Sequence, residues 1–256
     1  MNKDIVRQLI VVIATLATIV VNILANALPI NGLNTGEISD SFAVYFVPAG
    51  YVFSIWGIIY LALIAYSVYQ ALPTQRENPY LRAIGYPYLV SCAANIAWIF
   101  LWHYQVFVAT VPVMLLILLS LIGIYLRLGI GRERVGLAQR LVVNLPFSIY
   151  LGWITVATVA NVTTALDYLD WGGGGIAPQV WAAIMIAAAA LIAIGVSLTR
   201  GDVAYVAVIV WAFVGIAAKF PTTPVVANAA WLGAGAAAIS LAAGVPMRLQ
   251  HLRPEA

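Results

Sequence analysis

The sequence predicts an all-α protein, a polytopic membrane helical bundle of about eight transmembrane helices, and three observations predict it. First, only 8% of the 256 residues are charged while 64% are hydrophobic, against roughly 25% charged in a soluble domain. So few charges cannot cover a water-soluble particle of this size, and a mean hydropathy of +1.00 says the same. Second, the apolar runs are continuous and about twenty residues long, the length that crosses hydrocarbon as a helix. A membrane barrel would alternate apolar and polar residues in segments of about ten. Third, the basic residues fall in alternate gaps between these runs.

Spans are expected near residues 6–28, 48–71, 83–104, 106–127, 140–164, 179–199, 203–220 and 225–246. Pro79, Gly129, Gly131, the run Gly172 to Gly175, Pro221 and Pro224 punctuate the gaps, as residues that break helices should. With the N-terminus inside, the inside segments hold Lys3, Arg7, Arg76, Arg82, Arg127, Arg132, Arg134, Arg140, Arg200, Arg248 and Arg253, and the outside segments hold only Lys219. Eleven against one is the distribution that the positive-inside rule requires, and an odd number of spans would spoil it. Both termini are therefore expected on the cytoplasmic side, in a bacterial plasma membrane.

The first span also has the outline of a signal peptide: Lys3 and Arg7, an apolar core, then Ala25-Asn26-Ala27. Asn22 and Asn26, one helical turn apart, suit a retained and packed helix better. Between the fifth and sixth spans lies an acidic, glycine-rich stretch from Asp167 to Pro178. It divides the chain into an aromatic-rich five-helix part, residues 1–166, and a three-helix extension rich in Ala and Gly, residues 179–248. In the extension, Gly233 with Ala237 and Ala234 with Ala238 have the spacing that lets helices approach closely, and ordinary packing explains them.

Several function classes drop out on composition. The formal charge of +3 is spread along the chain as a topology signal, so nucleic acid is not an expected partner. The single cysteine, Cys92, lies in an apolar run and reads as a small buried residue. No Cys/His metal set, phosphate-binding glycine loop or nucleophile beside a base is present, so no catalytic residue and no metal ligand is assigned. No Asp, Glu, Lys or Arg falls deep inside a span, where ion-coupled transporters keep such groups. His103, at the outer boundary, reads as a solvated headgroup-level side chain, with haem ligation the sharper alternative.

Three spans carry aromatic and amide residues three and four apart, hence on one helix face: Phe53, Trp56 and Tyr60; Asn95, Trp98 and Trp102; Tyr150, Trp153, Ala157 and Asn161. At about 1.5 Å per residue, Trp56, Asn95, Trp98, Trp153 and Asn22 all lie roughly 9–16 Å below the outer surface. Lipid tails do not call for Trp or Asn at that depth, and an amide in hydrocarbon must find a partner. Two readings follow. The layer is helix packing with an aromatic belt at the interface, into which Trp102, Tyr104, Trp171 and Tyr45 fit. Or Trp56, Trp98 and Trp153 line a pocket for a flat apolar ligand, with amides fixing its polar edge.

These residues resemble a known family. Pro48-Ala-Gly-Tyr-Val-Phe-Ser-Ile-Trp-Gly-Ile-Ile-Tyr60 is similar to the Pro-x-x-Trp-x-Phe…Trp-x-x-x-Tyr signature of the TspO/MBR family, the tryptophan-rich sensory and translocator proteins. Asn95-Ile-Ala-Trp98 resembles that family's Asn-x-x-Trp on helix three. Tyr150-Leu-Gly-Trp-Ile-Thr-Val-Ala-Thr-Val-Ala-Asn161 resembles its Tyr-Leu-x-Trp-Val-x-Phe-Ala-x-x-Leu-Asn on helix five. The motifs fall in family order over roughly residues 5–166. Tyr51 stands where the family usually has Trp, the stretch between Phe53 and Trp56 is one residue shorter and lacks the family's Pro, and the last three spans have no counterpart in five-helix members.

The resemblance implies a membrane receptor or binding protein for tetrapyrroles such as protoporphyrin, or for a sterol-like lipid, with a sensory or regulatory role. On that reading Tyr51, Phe53, Trp56, Tyr60, Asn95, Trp98, Tyr150, Trp153, Asn161 and Asn22 are the ligand-binding residues. No cofactor is required, although a bound porphyrin or haem would suit such a pocket. The expected partners are membrane lipid and a hydrophobic small molecule, with a homodimer left open. A transporter or exporter of a hydrophobic molecule and a porphyrin-modifying enzyme are the alternatives. Leu121, Tyr125 and Arg127 match a pattern proposed for cholesterol contact, but that pattern is common by chance.

Overall fold

The structure, a computed structural model, describes residues 3–28 and 30–251. Arg253, one of the eleven inside cations, lies outside them. The described chain forms helices α1 (Lys3–Ala27), α2 (Thr35–Asp40), α3 (Ile55–Ala71), α4 (Pro79–His103), α5 (Phe107–Arg127), α6 (Leu137–Gln139), α7 (Leu145–Tyr168), α8 (Pro178–Arg200), α9 (Val203–Lys219) and α10 (Pro224–His251), and no strand. Among the described residues seven helical stretches are long and apolar enough to cross a bilayer. The eighth, α9, has 17 residues and a length of about 26 Å, at the lower limit for a span. The bundle is the polytopic helical one that the apolar runs predict.

Local chemistry sets the helix ends. Asn34 and Glu37 form a capping box around the start of α2, with the Asn34 side chain accepting from the N–H of Gly36 and Glu37. Asn78 caps α4 just ahead of Pro79, and Asp202 caps α9. α8 stops at Gly201, whose left-handed φ of +57° terminates the helix. The start of α7 is unusual: Arg140–Asn144 forms a π turn in which Leu145 N–H donates to the Arg140 carbonyl. Pro146 explains it, since proline has no N–H to give Val142 and its ring crowds that carbonyl.

The packing forms a ring of five helices in the order α1, α3, α7, α5, α4, with α4 closing back on α1. α9 lies against α7 outside the ring, and α8 and α10 pack on α9 and on each other. Small residues permit the closest approaches. A Cβ on Gly215 of α9 would meet the Val52 side chain at 2.2 Å, and one on Gly244 of α10 would meet the Ser197 carbonyl oxygen of α8 at 2.1 Å. Gly233 faces Phe213 and Ile186 in the same manner, which is the ordinary packing expected of the small-residue stripe. Cys92 is buried, as expected.

The two ends differ in chemistry. At one, Arg82 holds Asp4 through two bonds of 2.9 and 2.6 Å, Arg7 donates to the Arg76 carbonyl at 2.8 Å, and Tyr80 donates to Glu133 at 2.6 Å. Arg200 reaches the Ile130 carbonyl there, and Arg248 packs over Gly201. At the other, Lys219 pairs with Asp40 at 2.7 Å, and the loop carrying α2 lies over the C-terminal end of α4. The connections thus alternate between an arginine-rich end and a loop-covered end, as an up-and-down bundle of eight helices demands.

Candidate functional site

The aromatic and amide residues do converge. Asn22 Nδ2 of α1 donates to Asn95 Oδ1 of α4 at 2.7 Å, and Asn95 Nδ2 donates to the Tyr150 hydroxyl of α7 at 3.2 Å. The Tyr150 ring meets the edge of Trp56 of α3, with centroids 6.0 Å apart. A polar and aromatic ladder therefore crosses the ring from α1 to α3. Trp56 stacks on Tyr60 at 5.5 Å and meets Trp153 edge-on at 6.1 Å, and Trp153 in turn meets Phe53 at 5.6 Å. Edge-to-face and offset geometries are the ones the ring quadrupoles favour.

Trp98 belongs to a second group beside the first. Its Nε1 donates to Asn161 Oδ1 at 3.0 Å, and Asn161 Nδ2 donates to the Thr110 hydroxyl at 2.6 Å. Each of the three amides is thus paired within the protein, as the cost of an orphan amide in hydrocarbon requires. Asn22, Asn95, Tyr150, Trp153 and Asn161 are buried, while Phe53, Trp56, Tyr60 and Trp98 keep part of their surface open. The buried Trp153 Nε1 has no hydrogen-bond partner. Tyr51 stands apart: it is half exposed and packs edge-on against Trp211 of α9 at 5.4 Å.

Two side chains depart from their sequence reading. Trp102, expected in the interfacial belt, is 4% exposed; it stacks on Trp98 at 5.1 Å and donates to the Thr35 carbonyl. His103, expected to be solvated, is 1% exposed, with Nε2 3.0 Å from the Thr35 hydroxyl and Nδ1 3.1 Å from the Ile30 carbonyl. A carbonyl only accepts, so Nδ1 carries a proton. The reason for both is the loop of residues 30–47, which folds down over the end of α4, with Ile30, Asn31 and Thr35 bonded to Trp102 and His103. Ile38 and Phe107 complete a small core with Trp102 there.

Two cavities flank the layer at opposite ends of α7, and neither includes Trp56, Asn95, Trp98 or Trp153 in its wall. The first, about 670 Å³, lies at the arginine-rich end against the π turn, with Arg140, Asn144, Ser148, Asp202, Trp211 and Arg248 among its lining. The second, about 450 Å³, lies under the loop, walled by Tyr45, Phe46, Thr158, Trp171 and Trp181. Trp171, read as a belt residue, is half exposed and also forms part of this wall. Trp181 is held by a bond to the Gly173 carbonyl at 2.8 Å. Neither cavity was visible in the sequence, since their walls join helices far apart in the chain. Pro146 and the isolated Asp202 were the available signals for the first.

A five-helix ring with an aromatic and amide layer, extended by three further helices, defines a polytopic membrane protein of the TspO kind. The chain belongs to the family of TSPO-like proteins, whose family model matches residues 8–243. That match runs through α8 and α9 and into α10. No curated protein matches the chain, and no solved structure does.

Proposed function

We propose that the protein is a membrane receptor or binding protein for a flat hydrophobic ligand, a tetrapyrrole such as protoporphyrin, with a sensory or regulatory role. The observation that carries this reading is the layer itself. Phe53, Trp56, Tyr60 and Trp98 are half-buried; Tyr150 and Trp153 brace Trp56, Trp153 also meets Phe53, Trp102 and Asn161 hold Trp98, and the Asn22–Asn95 pair ties the helices together. Such rings offer stacking surface to a macrocycle at little conformational cost, because packing already holds them. On the positive-inside rule the arginine-rich end faces the cytoplasm, so a ligand would enter the layer from the outer leaflet. Titration of the purified protein with protoporphyrin, read by tryptophan fluorescence, tests the reading. Saturable quenching with a defined midpoint supports it; quenching that grows without saturation, as for free partition into detergent, sinks it.

The transporter alternative has one observation in its favour. The two cavities border the same helix, at Ser148 and Ile149 on one side and at Thr158 and Val159 on the other. Buried Trp153 lies between them. Vectorial movement of protoporphyrin in proteoliposomes, absent from protein-free vesicles, would favour this reading over a receptor.

A further inference from the structure

The cavity at the arginine-rich end is built from groups that the aromatic layer does not use. Its floor is Asp202, 6% exposed. Oδ2 of that carboxylate accepts from the Tyr125 hydroxyl at 2.9 Å and the Ser148 hydroxyl at 2.6 Å. Oδ1 accepts from the backbone N–H of Ala204 at 3.1 Å and of Tyr205 at 3.2 Å. Four donors occupy the carboxylate, so it is not poised to take a cation. Arg140 and Arg248 line the same cavity, and among the described residues neither makes an ion pair. Arg248 Nε is buried with no hydrogen-bond partner.

Two further observations mark a site. Asn144 is 7% exposed and lines the cavity, and its Oδ1 has no hydrogen-bond partner. It lies in the π turn, a helix distortion that is often functional. The remaining wall is apolar, and much of it is open: Ile58, Leu141 and Val203 are each half exposed or more, and Trp211 is 39% exposed. In a membrane bundle such surfaces meet lipid. The cavity therefore combines two cations with no carboxylate partner among the described residues, an acceptor in need of a donor, and an apolar flank that the bilayer can reach.

We propose that this cavity binds an acidic phospholipid, with the phosphate between Arg140 and Arg248, a headgroup hydroxyl donating to Asn144 Oδ1, and acyl chains along Ile58, Leu141 and Trp211. The phosphate offers the two arginines a charge-assisted partner. A zwitterionic lipid brings its own cation to the same place and gains less. The proposal is independent of the tetrapyrrole reading, since none of Phe53, Trp56, Tyr60 and Trp98 lines this cavity.

Trp211 is the reporter, because brominated acyl chains quench a tryptophan only on contact. The full-length protein is titrated in micelles with brominated phosphatidylglycerol and, separately, brominated phosphatidylcholine. The signal is the quenching that Trp211→Phe removes. Phosphatidylglycerol should associate about fivefold or more strongly, given the pull of two basic side chains on an anionic headgroup. Arg140→Gln with Arg248→Gln should bring the ratio to about one. In the unaltered protein the preference should also shrink between low and high salt, a readout that does not need the variant to fold. A ratio near one in the unaltered protein, a preference that salt and the double variant both leave intact, or loss of the preference on adding millimolar inorganic phosphate would each overturn the proposal. The last would assign the cavity to a free anion.

Discussion

Asn22 and Asn95, 73 positions apart, share a hydrogen bond of 2.7 Å between α1 and α4. Asn95 passes the interaction on to Tyr150, so one side chain ties three helices of the ring. Neither amide has water to fall back on at this depth, which makes the pair a point where packing and polarity are decided together.

Asn95→Leu should therefore act on stability before it acts on binding. It leaves one N–H of the Asn22 amide unpaired, the other still reaching the Thr18 carbonyl, and costs about 1–3 kcal/mol. Asn22→Leu combined with Asn95→Leu removes both halves of the pair and should cost less than the two single changes added together. Thermal unfolding in detergent, followed by circular dichroism, measures all three proteins. Strict additivity would mean that the pair contributes nothing beyond its separate side chains.

Trp153→Ala tests the aromatic layer. An aromatic pair is worth about 0.5–1.5 kcal/mol beyond its area, and lost burial adds to that. Protoporphyrin affinity should fall roughly tenfold, at about 1.4 kcal/mol per tenfold. Trp171→Ala removes a wall of the cavity under the loop instead and should leave affinity nearly unchanged. The reverse ranking, read by isothermal titration on folded protein, would move the ligand out of the layer and under the loop.

Reporter fusions check the topology. Fusions after Arg76, Arg134 and Arg200 should read cytoplasmic, and fusions near Asp40, Asp170 and Thr222 should read external. The Asp4–Arg82 and Asp40–Lys219 pairs mark the two ends. An external reading after Arg200 together with a cytoplasmic one near Thr222 would show that the 17-residue α9 does not cross in the expected sense.

Gly244→Ala probes how α8 and α10 hold together. The added Cβ would lie 2.1 Å from the Ser197 carbonyl oxygen, so the helices must move apart, at a cost of about 1–3 kcal/mol. Gly235→Ala on the same helix meets nothing within 4 Å and should be neutral or gain up to about 1 kcal/mol from helix propensity. Melting midpoints of the two variants should differ in sign relative to the unaltered protein, or at least clearly in size.

Composition, run length and cation placement were sufficient for the helical membrane bundle, because a bilayer imposes strict rules on backbone satisfaction and loop charge. Spacing of three and four also brought out the layer, since one-face periodicity is a local property: Trp56, Asn95 and Tyr150 do meet. What the spacing of a single helix could not reveal was partnership. Thr110 as the acceptor for Asn161, the burial of Trp102 and His103 beneath the loop, and the cavity joining Arg140 of one helix to Arg248 of another all depend on how distant segments dock. Tertiary structure decided them, because a side chain's exposure and its hydrogen-bond partner are set by the helices and loops that come to lie against it.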